Sequence, residues 1–211
     1  MKRSYLVILV VALVLFLDQA LKFYIKTHFC YNQDMPILGQ DWARLHFVEN
    51  EGMAFGITFG WEYGKLLLSL FRILMVAGLI WYIRLLLRAD APNGFIISVG
   101  LITAGALGNI IDSAFYGLIF TDSYHGLAQS FTGHGYAGFL QGLVVDMIHV
   151  RLFNFTLGGT TYEFFPFIFN IADSAITIGV FIIILFQGLF FKEENKADVT
   201  TAAENQNPAN V

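Results

Sequence analysis

Tyr5-Leu-Val-Ile-Leu-Val-Val-Ala-Leu-Val-Leu-Phe-Leu-Asp18-Gln-Ala-Leu-Lys22-Phe-Tyr-Ile25 is the stretch that decides the fold. Its opening, Tyr5–Leu17 behind Lys2 and Arg3, has the basic and apolar regions of a signal peptide. No small-x-small cleavage signal follows, and the apolar run continues past Asp18 to about Ile25. That is long enough to span a bilayer, so the stretch reads as a retained first membrane helix. Inside it stand a carboxylate and an ammonium. Asp18 and Lys22 are i,i+4, on one helix face and able to pair. Their simplest reading is an ion pair that orients the helix.

Three further runs match the first, which covers about 5–26. They cover about 64–88, 95–116 and 169–191, and none contains an internal proline. Pro92-Asn93-Gly94 forms the turn between the second and third, and Pro166 precedes the fourth. With 56% of residues apolar and 13% charged, there is too little polar surface to cover a soluble domain. The expected fold class is an α-helical integral membrane protein with four transmembrane helices, a single membrane-embedded domain over 1–191. Residues 192–211 read as a polar, disordered cytoplasmic tail.

Several function classes drop out. A net charge of −4 with no basic stripe argues against nucleic acid. The one cysteine, Cys30, excludes an internal disulfide framework and a Cys-rich metal site. His28, His46, His125, His134 and His149 form no His-x-x-x-His pair, so a zincin-type centre is not expected. No metal or cofactor is expected, and nothing requires a second subunit, so a monomer is.

Orientation follows from Lys and Arg in the loops. Four spans put both termini on one side, with Lys2, Arg3, Arg84, Arg88, Lys192 and Lys196 against Lys26, Arg44, Lys65 and Arg151 opposite. This bias places both termini in the cytoplasm and two long segments outside. Arg44-Leu45-His46-Phe47 alternates as a strand does, and Gly52, Gly56 and Gly60 mark bends. Phe153-Asn154-Phe155-Thr156-Leu157, then Gly158-Gly159, then Tyr162-Glu163-Phe164, is a hairpin pattern. A small extracytoplasmic β element is expected, with apolar faces against the membrane. The Gly-rich stretch 120–142 reads as a mobile surface loop or as a lid.

The topology brings the polar residues of the spans to one depth. At about 1.5 Å per residue, Asp18 lies about 20 Å along the first span, and Asn109 and Asp112 lie roughly 21–26 Å along the third. The fourth span runs inward, so Asn170 and Asp173 lie in its first turn, with Asp146 just before it. All converge on the outer interface. Asn170 suits an N-cap, with Asp173 reaching back as in a capping box. Arg72, inside the second span, has no partner legible in the sequence. The residues alone leave three readings open: a peptidase built on paired carboxylates, a proton-coupled transporter, and a scaffold whose Asp residues cap helices. A serine hydrolase using Ser174 is disfavoured, because no Gly-x-Ser-x-Gly occurs.

Five pieces of sequence narrow this. They are Asp18-Gln19-Ala20-Leu21-Lys22, Asn50-Glu51-Gly52-Met53-Ala54-Phe55-Gly56, Gly105-Ala106-Leu107-Gly108-Asn109-Ile110-Ile111-Asp112, Val144-Val145-Asp146-Met147-Ile148 and Phe169-Asn170-Ile171-Ala172-Asp173-Ser174. In this order they resemble the lipoprotein signal peptidase (signal peptidase II) family. The resemblance implies an aspartic endopeptidase of the bacterial cytoplasmic (inner) membrane, acting on membrane-anchored prolipoproteins. It would cut just before the cysteine that carries diacylglycerol. It further implies Asp146 and Asp173 as the catalytic pair and Asn50, Gly52, Asn109, Asp112, Asn170 and Ala172 as substrate-binding walls. Asp18 and Lys22 would support the site.

Two departures stand out. Ser113 occupies the place where the family commonly has Arg, which leaves Arg151 or another residue to supply that cation. The Gly-rich stretch and the hairpin also look longer than the family's connections. For the chemistry, one proton is expected to be shared between the carboxylates. Asp173, at a helix N-terminus, is the expected anion, and Asp146 the proton holder.

Overall fold

The computed structural model describes residues 2–51 and 63–191. Helix α1 (Arg3–His28) leads into two strands, β1 (Asp34–Ile37) and β2 (Gln40–Asn50). Helices α2 (Gly64–Arg88) and α3 (Asn93–Ile111) follow. The latter continues through a π-helical turn, Asp112–Tyr116, into one last turn, α4 (Gly117–Ile119). Then come β3 (Val144–Val150), the hairpin strands β4 (Asn154–Leu157) and β5 (Thr160–Glu163), a short β6 (Ile168–Phe169) and helix α5 (Ile171–Phe190).

Lipid offers no partner to backbone N–H and C=O groups, so an apolar run closes its hydrogen bonds within a helix. α1, α2, α3 with its extension to Ile119, and α5 are each long and apolar enough to cross a membrane. The expected bounds are met within a few residues. The main difference is Phe169, which belongs to β6 rather than to the last helix.

α3 is the central helix: 56% of its apolar window is buried, against 11–17% for the other three. Their exposed faces carry Leu9, Leu13, Phe16, Leu74, Trp81, Phe181 and Leu185, side chains suited to acyl chains. Apolar burial adds little between helices in lipid, so close packing of small residues carries the association. Gly105 shows this. A Cβ there would meet the Ala172 carbonyl oxygen at 2.1 Å and Ile176 at 2.7 Å. At the opposite end, Arg3 donates to Asp90 at 3.0 Å and to the Ala91 carbonyl at 3.3 Å, tying the amino end to the α2–α3 turn.

The strands form an antiparallel sheet ordered β1-β2-β3-β6, with β4 and β5 as a separate hairpin. β2 is the strand read at Arg44–Phe47, but it is longer. β1 and β3 are not anticipated by the sequence reading. β3 is Val-Val-Asp-Met-Ile-His-Val, buried along almost its whole length, so no polar alternation announces it. The hairpin turns at Gly158-Gly159 as read, with φ of 61° and 81° at the two glycines. Phe155 stacks on Tyr162 across it, and Phe153 on Phe164.

The Gly-rich stretch is largely exposed but anchored at several points. Phe120 is fully buried with Ile25, Phe29, Phe47 and Met147. Thr121 N–H bonds Gln129, and Tyr136 N–H bonds Phe120. Lys26 of α1, fully buried, pairs with Glu49 of β2 and donates to Ser123 Oγ at 2.8 Å.

Candidate active site

Two carboxylates reach one cavity from different elements. Asp146 is in the middle of β3, opposite Val48 of β2, and only 2% exposed. Asp173 is the third residue of α5. The capping box read from the sequence is present: Asp173 N–H donates to Asn170 Oδ1 at 2.8 Å, and Asn170 N–H donates to Asp173 Oδ2 at 3.3 Å. The cavity measures about 1250 Å³ and is walled by Val48, Asn50, Arg72, Asn109, Asp146, Asp173 and the run Phe165–Phe169, among others. None of the described residues that wall the cavity comes from 120–142.

Two amides aim the carboxylates. Lys22 Nζ donates to Asn109 Oδ1 at 2.9 Å, which fixes that amide's orientation. Its Nδ2 then donates to Asp173 Oδ1 at 2.8 Å. Asn170 spends its own Oδ1 on the cap, so its Nδ2 faces Asp146 Oδ1 at 2.6 Å. The same Nδ2 is shared with Asn109 Oδ1 at 3.1 Å. Asn50 Nδ2 donates to the other Asp146 oxygen. These bonds favour an ionised Asp146, yet its carboxyl is pushed well above the ordinary carboxylate range. Burial is the larger cause and the charge of Asp173 the next.

Beneath the cavity lies a fully buried ionic layer. Lys22 Nζ is 3.0 Å from Asp18 and 2.8 Å from Asp112. Asp18 Oδ1 accepts the Ala172 N–H at 2.9 Å, and Asp112 Oδ2 accepts the Val145 N–H at 3.2 Å. Gln19 Nε2 donates to Asp112 at 2.8 Å, while Gln19 Oε1 accepts from Tyr116. The Asp18–Lys22 pairing is as expected. Asn50 and Asn109 line the cavity, whereas Asp112, Asn170 and Ala172 lie behind the wall, fully buried. Gly52 falls outside the described residues.

Sequence reasoning assigned no place to two participants. Gln19 bridges Asp18, Asp112 and Tyr116; a polar residue next to Asp18 in an apolar run was the available signal. Arg72 reaches the cavity from α2. Arg151, one option for the missing cation, lies instead on the sheet, 3.2 Å from Asp34 and 3.6 Å from Glu163. Ser113 is buried and donates to the Asn109 carbonyl of its own helix.

Fold and site together define a multi-pass membrane protein with a carboxylate-bearing cavity where its helices meet a small sheet. Residues 10–190 match the family model of Signal peptidase (SPase) II, and the chain belongs to that family. A lipoprotein signal peptidase of Porphyromonas gingivalis is 40% identical over 184 residues, covering 83% of this chain and 79% of its own. One of Chlorobium phaeobacteroides is 33% identical, covering 85% and 94%. Two solved structures of bacterial membrane enzymes share the fold. The first has a TM-score of 0.57 at 23% identity over 97% of this chain and 93% of its own. The second has 0.55 at 28% identity over 85% and 90%. Membership implies peptidase activity on a lipoprotein precursor in a membrane, and it leaves the transporter and scaffold readings without support.

Proposed function

We propose that this chain is an intramembrane aspartic endopeptidase that cuts the signal peptide of a diacylglyceryl prolipoprotein just before the lipid-bearing cysteine. One observation carries the reading: Asp146 and Asp173 share a cavity, each aimed by its own asparagine amide. Asp173, at a helix N-terminus with two donors, is the anion that takes a proton from the attacking water. Asp146, buried and facing that charge, holds the shared proton, bonds the scissile carbonyl and later helps protonate the leaving amine.

Asn50 and Asn109 are the walls that meet peptide backbone, because an amide both donates and accepts. Asp112, Asn170 and Ala172 act from behind. Gly52 remains a proposed binding residue by family resemblance alone. The sheet and hairpin lie at the outer face of the inner membrane, both termini are cytoplasmic, and the working unit is the monomer. The hairpin supports contact with a membrane surface, since Phe153, Phe155, Tyr162 and Phe164 are exposed in stacked pairs that suit lipid.

Purified protein in detergent should cleave a lipidated prolipoprotein and ignore its unlipidated form, with or without chelator. Asp146→Asn and Asp173→Asn should each lower kcat by at least about 10³-fold while the protein still inserts, in line with losses on removing an acid–base group. Full activity in either variant removes that residue from the pair. Inhibition by chelator argues against a metal-free mechanism.

A further inference from the structure

Lys22 is already committed. Its ammonium sits within 3.0 Å of Asp18 and 2.8 Å of Asp112, one cation against two buried carboxylates. The Asp146–Asp173 pair adds a further negative charge on the cavity side. Among the described residues that line the cavity, Arg72 is the one cation. It stands in the interior of an apolar spanning helix, where a guanidinium is expensive unless it turns toward the bundle or a wet cavity. It does so here, half-buried, with Asp173 as the carboxylate that acts on it most strongly and Asp112 and Asp146 next.

We propose that Arg72 is a positioning residue for the carboxylate pair: its fixed charge holds the pair at a single shared proton, with Asp173 as the anion that activates water. This rests on reading Asp146 and Asp173 as the catalytic pair. Arg72 thereby takes up, from the second helix, the place of the cation that Ser113 does not supply. Around it are Lys65 on its own helix and Asp112 from the end of α3, which is itself held by Lys22 of α1, while Glu49 and Glu51 from the β2 side act on Lys65. None of the cations among them is free to substitute. Lys22 is shared between two carboxylates, and Lys65 does not line the cavity.

The test compares wild type with Arg72→Lys, Arg72→Gln and Arg72→Met in lipid nanodiscs. Cleavage of a diacylglyceryl prolipoprotein is followed from acid to alkaline pH. A nearby cation favours the ionised carboxylate, so losing it lets the base take a proton at higher pH. Arg72→Gln and Arg72→Met should shift the acid limb of kcat upward by about one pH unit, with acid-side rates down about tenfold and KM little changed. Arg72→Lys should keep the wild-type limb. Removing the charge makes α2 more apolar, which favours insertion. An unmoved acid limb in Arg72→Met overturns the inference. So does folded protein from Arg72→Lys alone, which assigns the charge a purely structural part. A wild type that cleaves, with Asp146→Asn or Asp173→Asn still active, removes the catalytic pair instead and this inference with it.

Discussion

Lys22 is the residue on which the polar layer turns. It is fully buried, holds Asp18 and Asp112, and orients the Asn109 amide that meets Asp173. Burying such ions costs several kcal/mol, recovered only while every partner is in place. Lys22→Met should therefore destabilise the protein by roughly 3–5 kcal/mol, because it strands two buried carboxylates. Reversible unfolding in mixed micelles measures this, and a loss below about 1 kcal/mol, the range of an exposed pair, would mean that the layer is solvated. The i,i+4 spacing made the Asp18 contact legible in sequence. The Asp112 contact was not, since it depends on how α3 is rotated against α1. Asn109 and Asp112 share a helix face by spacing and both meet Lys22, yet only Asn109 also opens on the cavity.

At the scale of elements, the spans were legible and most strands were not. Long apolar runs without proline leave a chain little choice but helix. β3 is largely buried on both faces and only seven residues long, so periodicity could not identify it. Its central Asp146 was legible as chemistry before it was legible as structure. The contact between α3 and α5 is set by small residues rather than by pattern. Gly105→Val should force the helices apart, because the added Cβ alone meets backbone at 2.1 Å and a backbone oxygen cannot rotate away. The expected result is a lower Tm and a loss of cleavage together, since Asp173 rides on α5 while Asn109 rides on α3. Wild-type Tm and activity in Gly105→Val would show that the helices do not meet this closely. Arg72 belongs to the same class of hidden information: its sequence position gives its depth, and only the packing of α2 gives its direction.

For the whole molecule, topology and rise per residue were enough to bring Asp18, Asn109, Asp112, Asp146, Asn170 and Asp173 into one layer. Hydrogen bonds now connect them. Which face of the membrane that layer approaches has a direct test. Cys30, the only cysteine, is exposed just beyond the end of α1. With both termini inside, a membrane-impermeant maleimide should label Cys30 in intact spheroplasts, and labelling only after permeabilisation would invert the topology. The layer also has an order in time. Asp18 belongs to the first span made, and the N–H that it accepts belongs to Ala172, 154 positions later. A growing chain that has not reached its last helix holds Asp146 but neither Asp173 nor the Asn170 that aims Asp146. Under the proposed chemistry, the newborn enzyme stays inert beside the other signal-bearing chains entering the same membrane, and it gains its cutting power when its last helix docks.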